Sequence, residues 1–208
     1  MKAFISDPGR IEKESMEIIA GILGDVAFTP EELKVVKRVI HTTADFEYAQ
    51  LLEFNHAPLE AFHQAVRKGL HLVTDSGMAM AGINRRVLSK YGVEIKCFMA
   101  EEQVALEAKE RGLTRAMVSM EYAVKDKRNK IFVIGNAPTA LRQLLRLIEN
   151  GQAAPNVIIG VPVGFVEAAE SKELLGQTDI PHILIRGRKG GSNVAASIVN
   201  AISYMLEE

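Results

Sequence analysis

Tryptophan is absent, cysteine occurs once, and aromatic residues make up 6% of the 208 residues. The lone Cys97 cannot close an intramolecular disulfide, and with no cysteine cluster there is no thiolate metal site. Cys97 sits in an apolar, strand-like run and reads as a buried structural thiol. Neither sign of charge prevails, since the net charge is −1. That argues against a general nucleic-acid or membrane-surface binder, while leaving room for a local basic patch. No apolar run approaches the ~20 residues of a bilayer span. The N-terminus, Met1-Lys2-Ala3-Phe4-Ile5-Ser6-Asp7-Pro8, lacks the apolar core of a signal peptide. A cytoplasmic location is therefore expected. The hydrophobic share of 48% and charged share of 25% are ordinary globular values and argue against disorder.

The length allows one large domain or two small ones. No linker, low-complexity tract or internal repeat divides the chain, so residues 1–208 are expected to form a single domain. Its first part, 1–69, reads as helical. Ile11, Ser15, Ile18, Ile19 and Ile22 follow helical spacing, with Gly24 as a stop. Thr29 can cap a second helix at Pro30, whose stripe is Leu33, Val36, Val39 and Ile40. A third helix is expected from Pro58 to Gly69. From residue 70 the pattern changes. Short apolar runs at 70–74, 93–98, 130–134, 157–161 and 183–186 alternate with helical segments. Several are apolar throughout, as strands covered on both faces are. Between and after them, Leu141, Leu144, Leu145 and Ile148, then Val194, Ile198, Ala201, Ile202 and Met205, mark helices. The expected fold class is α/β: a doubly wound, five-stranded parallel sheet over 70–208 with a helical N-terminal extension.

Three of those strands run through a glycine loop into a helix. The loops are Gly135-Asn136-Ala137-Pro138-Thr139, Gly160-Val161-Pro162-Val163-Gly164-Phe165 and Arg186-Gly187-Arg188-Lys189-Gly190-Gly191-Ser192. A parallel sheet puts them on one edge, where ligands bind. The last loop combines three cations with a double glycine at a helix start, and Ser192 can cap that helix. This favours an anion over a plain turn. It matches neither a phosphate-binding P-loop nor a dinucleotide fingerprint. The first loop offers helix N–H donors or is an ordinary turn. The middle loop is an apolar wall or a rigid buried turn. After the first strand, Asp75 or Ser76 can cap the next helix. Thr114 can cap another helix that starts at Arg115, an anion-friendly place for a residue that is otherwise simply solvated. His41 ends an apolar stripe. It is a packing residue or a general acid, with Asp45 able to orient it if the helix continues.

Taken together, these segments are familiar. His41-Thr42-Thr43-Ala44-Asp45-Phe46-Glu47-Tyr48, Gly135-Asn136-Ala137-Pro138-Thr139-Ala140-Leu141, the run from Gly160 through Phe165 to Glu170-Ser171-Lys172, and Gly187-Arg188-Lys189-Gly190-Gly191-Ser192 resemble the precorrin-8X methylmutase family of cobalamin biosynthesis. Ile11-Glu12-Lys13-Glu14-Ser15 fits its N-terminal helix. The resemblance implies a flavodoxin-like sheet and a homodimeric isomerase that moves a methyl group from C-11 to C-12 of a corrin precursor, with no added cofactor and no protein-bound metal. It places the catalytic histidine on His41 and ring-contacting residues on Ser15 and Arg115. The remaining candidate substrate contacts are Asp75, Gly135, Asn136, Ala137, Thr139, Gly164, Phe165, Arg188, Lys189, Gly190, Gly191 and Ser192. The implied partner is a broad tetrapyrrole with several carboxylates; nucleic acid and membrane are not expected partners. The Thr42-Thr43-Ala44-Asp45 run looks more like the members that act on a cobalt-containing ring. The competing class is a non-catalytic flavodoxin-like module for a tetrapyrrole or nucleotide. Against a flavin stand the missing tryptophan and the lack of a hydroxyl-rich loop after the first strand. A hydrolase or transferase lacks a nucleophile motif.

Overall fold

The structure is a computed structural model that describes residues 6–207. Residues 1–5, on which part of the N-terminal expectation rests, lie outside the described residues. Two helices open the chain. In α1 (Pro8–Leu23), Asp7 accepts from the Arg10 N–H at 2.7 Å, and the helix stops at Gly24. α2 (Pro30–Thr43) starts at the expected cap. Thr29 Oγ1 accepts from Glu32 N–H at 3.2 Å, and Glu32 Oε2 accepts from Thr29 N–H at 2.9 Å. This reciprocal pair satisfies donors that a helix start leaves orphaned. Arg38 on α2 pairs with Glu12 on α1 at 2.7 Å. α2 ends at Ala44, which takes a left-handed conformation and turns the chain away.

The rest of the part read as helical holds a surprise. α3 (Tyr48–Leu51) runs into a strand, β1 (Leu52–Asn55), before α4 (Pro58–Arg67). Then follow β2 (His71–Thr74), α5 (Gly77–Gly82), α6 (Arg85–Lys90), β3 (Ile95–Lys96), α7 (Glu102–Arg111) and α8 (Arg115–Ala123). β4 (Asn129–Ile134), α9 (Pro138–Glu149), β5 (Val157–Gly160), α10 (Ala168–Gly176), β6 (His182–Ile185) and α11 (Ser192–Tyr204) complete the order, with a short 3-10 turn after them. The sheet is six-stranded and mixed, in the order β1-β6-β5-β4-β2-β3. This corrects the expected five-stranded parallel sheet. The five anticipated strands are present and parallel, and β1 adds an antiparallel edge on β6, Leu52 opposite Ile185. Residues 1–69 are accordingly not all helical. The strand expected over 93–98 is reduced to Ile95–Lys96, and Cys97 beside it is half-buried, not buried.

β2, β5 and β6 are buried along their whole length, because helices cover both faces. Alternation along the strands sorts the core into two clusters. Ile131, Val133, Ile159 and Ile183 face α1, α2, α4 and α11. Phe132, Ile134, Ile158 and Leu184 face α8, α9 and α10. No helix among the described residues is long and apolar enough to cross a membrane. Strand order reverses beside β2, which has β3 on one side and β4 on the other. The loops after β2 and β4 therefore diverge and open a crevice at the carboxyl edge, the usual ligand position in such sheets.

Gly135 sits at that edge with its α-carbon against the start of α11. A Cβ there would stand 2.8 Å from Ala195 Cβ, 2.9 Å from Ser192 Cα and 3.0 Å from Gly191 O. Gly21, inside α1, has nothing within 4 Å of such a Cβ. Gly135→Ala is expected to destabilise the protein by about 1–3 kcal/mol, through overpacking against backbone. Gly21→Ala is expected to stabilise it by about 0.5–1 kcal/mol, through helix propensity. Thermal denaturation of both variants beside the parent checks the two signs; equal melting points for the two variants contradict the packing argument.

Candidate active site

The carboxyl-edge loops are knitted together by their backbones. Asp75, directly after β2, is fully buried. Its Oδ1 accepts from Gly135 N–H at 2.9 Å, and its Oδ2 accepts from Asn136 N–H at 2.8 Å and Ala137 N–H at 2.6 Å. Burial raises its pKa above the usual carboxylate range, against the smaller opposing pull of those three N–H donors. The β2 loop thus clamps the β4–α9 loop across the crevice. Two expectations are corrected here. Asp75 is turned inward with both oxygens engaged, so it holds the loop and presents nothing to a ligand. The N–H groups of Gly135, Asn136 and Ala137 are spent on Asp75 and are not free donors. Ser76, not Asp75, caps α5 by accepting from Ala79 N–H at 3.2 Å. Its hydroxyl also meets Ser192 Oγ at 2.8 Å. Ser192 is the first residue of α11 and not its cap, a position that Gly191 takes.

The β6–α11 loop is pressed against the β5–α10 loop. Gly191 N–H donates to the Val161 carbonyl at 3.0 Å, and Gly164 N–H donates to the Arg188 carbonyl at 3.2 Å. At Gly190, with φ 149°, a Cβ would overlap the Val161 carbonyl oxygen. Only glycine allows this approach. The cations of the loop then part company. Arg186 leaves the edge, pairing with Glu53 at 3.0 Å and donating to the Gln50 carbonyl at 2.6 Å. Lys189 Nζ bridges Asp45 and Glu47, the second at 2.6 Å. Those two carboxylates hold the Lys189 ammonium well above the usual lysine range, and Lys189 in turn holds Asp45 below the usual carboxylate range. Lys189 is therefore not the free cation the sequence suggested. Asp45 does not orient His41 either, because α2 stops at Thr43 and Asp45 turns to Lys189. Tyr48 joins the same knot. It accepts from Gly190 N–H, and its burial raises its pKa.

The result is that the segment after His41 is fastened to the glycine loops. His41 lies in the last turn of α2, exposed, with no hydrogen bond to its ring among the described residues. Ser15, half-buried on α1, donates to its own helix at the Ile11 carbonyl, 2.7 Å away. On the other flank, Thr114 caps α8 and its hydroxyl donates to Thr139 Oγ1 at 3.2 Å. That bond ties the start of α8, where the exposed Arg115 stands, to Thr139. Arg115 and Arg188 have no carboxylate partner among the described residues. An exposed apolar patch completes the edge: Phe165 is 86% exposed, Val166 80% and Met78 73%. The Arg188 guanidinium lies 5.8 Å from the Phe165 ring centre. A cleft of about 710 Å³ opens between α8, α9 and α10, lined by Met117, Thr139, Arg142, Arg146, Glu167 and Leu174 among others. Of the expected site residues it takes in Thr139.

Sequence reasoning gave no role to Lys172, Tyr48, Glu47 or Met78. Lys172 had a signal. Ala168, Ser171, Lys172 and Leu175 recur at i, i+3, i+4 and i+7, and all four are buried on α10. A lysine in a buried stripe marks itself as a residue with a task.

An edge with free arginines, an apolar shelf and an unpaired imidazole at a nearby helix end fits a large acidic ring. Comparison with known proteins gives the family. The precorrin-8X methylmutase family model matches residues 10–205. A cobalt-precorrin-8 methylmutase of Priestia megaterium is 44% identical over 206 residues, covering 99% of this chain and 92% of that protein. One from Salmonella typhimurium is 44% identical, covering 99% of each chain. The crystal structure of precorrin-8X methylmutase from Thermus thermophilus superposes with a TM-score of 0.87 at 36% identity, covering 95% of each chain. The glycine loops, the His41 segment and Lys172 all fall inside the matched span, and the chain belongs to the precorrin-8X methylmutase family.

Proposed function

We propose that the carboxyl edge holds cobalt-precorrin-8 and that the protein shifts a methyl group from C-11 to C-12 of the ring. Family membership makes the chain a methylmutase, hence an isomerase of corrin biosynthesis. It also leaves the non-catalytic binding module unfavoured. The observation that carries the site is the fastening of the His41 segment to the basic glycine loop through Lys189, Asp45, Glu47 and Tyr48. Arg188 and Arg115 supply charge to the carboxylate rim. Phe165, Val166 and Met78 supply a face for the ring. The five parallel strands, in the order β3-β2-β4-β5-β6, support a flavodoxin-like core with β1 added at its edge. A single cytoplasmic domain and a homodimer belong to the same reading. Exposed Ile11, Ile18 and Ile22 along α1 offer a second copy an apolar surface.

Substrate and product are isomers, so no co-reactant is needed. The bond from the methyl carbon to C-11 breaks as the bond to C-12 forms, and the ring π electrons rearrange. His41 lends a proton to the ring system, making it electron-poor, and recovers it within the turnover. General acid help of this kind is worth about 10²–10⁴-fold. Orientation by the loops and fixed electrostatics supply the rest. Cobalt enters as part of the substrate. Five relatives at 39–44% identity over more than nine-tenths of this chain are cobalt-precorrin-8 methylmutases; at 36% stand one more of that kind and a precorrin-8X methylmutase, and another precorrin-8X methylmutase stands at 31%.

His41→Ala is expected to lower turnover by about 10²–10⁴-fold while keeping affinity for the corrin product, followed by its visible absorbance. Normal turnover in the folded variant removes His41 from the mechanism. Offered both ring forms at equal concentration, the enzyme is expected to convert the cobalt-containing one faster. Faster conversion of the metal-free ring reverses the substrate assignment.

A further inference from the structure

Lys172 has no part in the proposed reaction, yet 1% of its surface is exposed. Among the described residues no carboxylate pairs with it. Its ammonium donates to one acceptor, the Lys189 carbonyl, at 2.8 Å. A buried cation held by one neutral acceptor is costly, and an apolar side chain of similar size would stabilise the position better. The carbonyl it holds belongs to the peptide that joins Lys189 to Gly190. The side chain of Lys189 bridges Asp45 and Glu47, Gly190 N–H donates to Tyr48, and Gly191 N–H donates to Val161. Donation to the carbonyl also polarises that peptide and strengthens the Gly190 N–H as a donor.

We propose that Lys172 is a positioning residue of the active site: its ammonium fixes the Lys189–Gly191 backbone and, through the Lys189 side chain, the segment that follows His41. This rests on the carboxyl edge being the corrin site. The charged groups on the elements around Lys172 are otherwise engaged or exposed. Arg142 on α9 pairs with Glu167 ahead of α10 at 2.6 Å. Lys189 pairs with Asp45 and Glu47, Arg186 pairs with Glu53, and Arg188 lies over Phe165. Glu170 and Glu173 are exposed on α10 itself, and His182 sits at the start of β6, at the far end of the strand. Desolvation is therefore what acts on Lys172, pushing its ammonium down from 10.5 to about 8. The unfolded chain keeps the proton up to about 10.5, so it binds more protons than the folded chain between those values. Stability then rises with pH across that window. Ligand affinity moves the opposite way, because a neutral amine is the weaker donor. A purely structural lysine gives the first slope without the second.

The test titrates wild type, Lys172→Met and Lys172→Arg with the corrin product from pH 7 to 9.5, following its visible absorbance, and records each thermal midpoint. Lys172→Met is expected to be at least as stable as wild type, yet to bind product about tenfold more weakly at pH 7, the effect of losing one charged donor. Wild-type affinity is expected to fall with a midpoint near 8, and that titration should vanish in Lys172→Met. Lys172→Arg, which keeps a charged donor, is expected to recover part of the affinity at pH 9.5. Wild-type affinity that stays flat from pH 7 to 9.5 overturns the proposal, and so does a folded Lys172→Met that binds like wild type. If Lys172→Met does not fold, the wild-type titration decides alone. A wild type that binds no product at any pH overturns the site reading itself, and the Lys172 assignment with it.

Discussion

The carboxylate of Asp75 is the tie on which the ligand edge depends. A sheet whose strand order reverses beside β2 must open there, and the loops on either side need something to hold them at a fixed separation. Burying a carboxylate costs several kcal/mol. Three charge-assisted bonds at roughly 1.5–3 kcal/mol each return a comparable amount. The two terms nearly cancel, so the clamp adds little net stability. What it adds is geometry. With the Gly135–Ala137 backbone set by Asp75, Gly135 can lie against the start of α11. α11 in turn presents Gly191 to Val161 and Ser192 to Ser76. Each loop is located by another loop's backbone.

Charge at this edge is mostly structural. Lys189 and Arg186 look from the sequence like a reservoir of positive charge near a ligand. In the fold, Lys189 ties down the segment after His41, Arg186 braces β1, and Lys172 is sealed inside against a carbonyl. Two arginines, Arg188 and Arg115, are left without carboxylate partners among the described residues. They stand on different elements, one in the β6–α11 loop and one at the start of α8. A compact anion would not need that division. A wide ligand with acidic groups around its rim would.

Much of this was legible from residue pattern, and the gaps have physical causes. Residues 130–134 and 157–161 are visible as strands because both faces are buried and every position is apolar. β1 is not, because its four residues gain strand character from pairing with β6, more than 120 residues later. The cap at Thr29 is local and was readable; the partner of Lys189, 144 residues away in Asp45, is not. The glycine loops were correctly placed on one edge by the parallel-strand rule. Their donors were misjudged, since nothing local to Gly135-Asn136-Ala137 reveals that a buried aspartate 60 residues earlier will take them. Charge shows up in a sequence; what it pairs with is decided by topology.

The same reasoning bears on where His41, proposed as the proton donor, sits. A histidine inside the clamp would be wedged among Asp75, Lys189 and Lys172, and its protonation would follow theirs. His41 instead occupies the last turn of α2, one helical turn beyond the Arg38–Glu12 pair and just ahead of the left-handed Ala44. The chain past it is fastened by Lys189, which fixes where the helix end points without touching the imidazole. The position of the helix end is thus set by groups that do not bond the ring: the loop holds it through Asp45 and Glu47. A general acid that has to give up its proton and recover it in each turnover is well served by that separation.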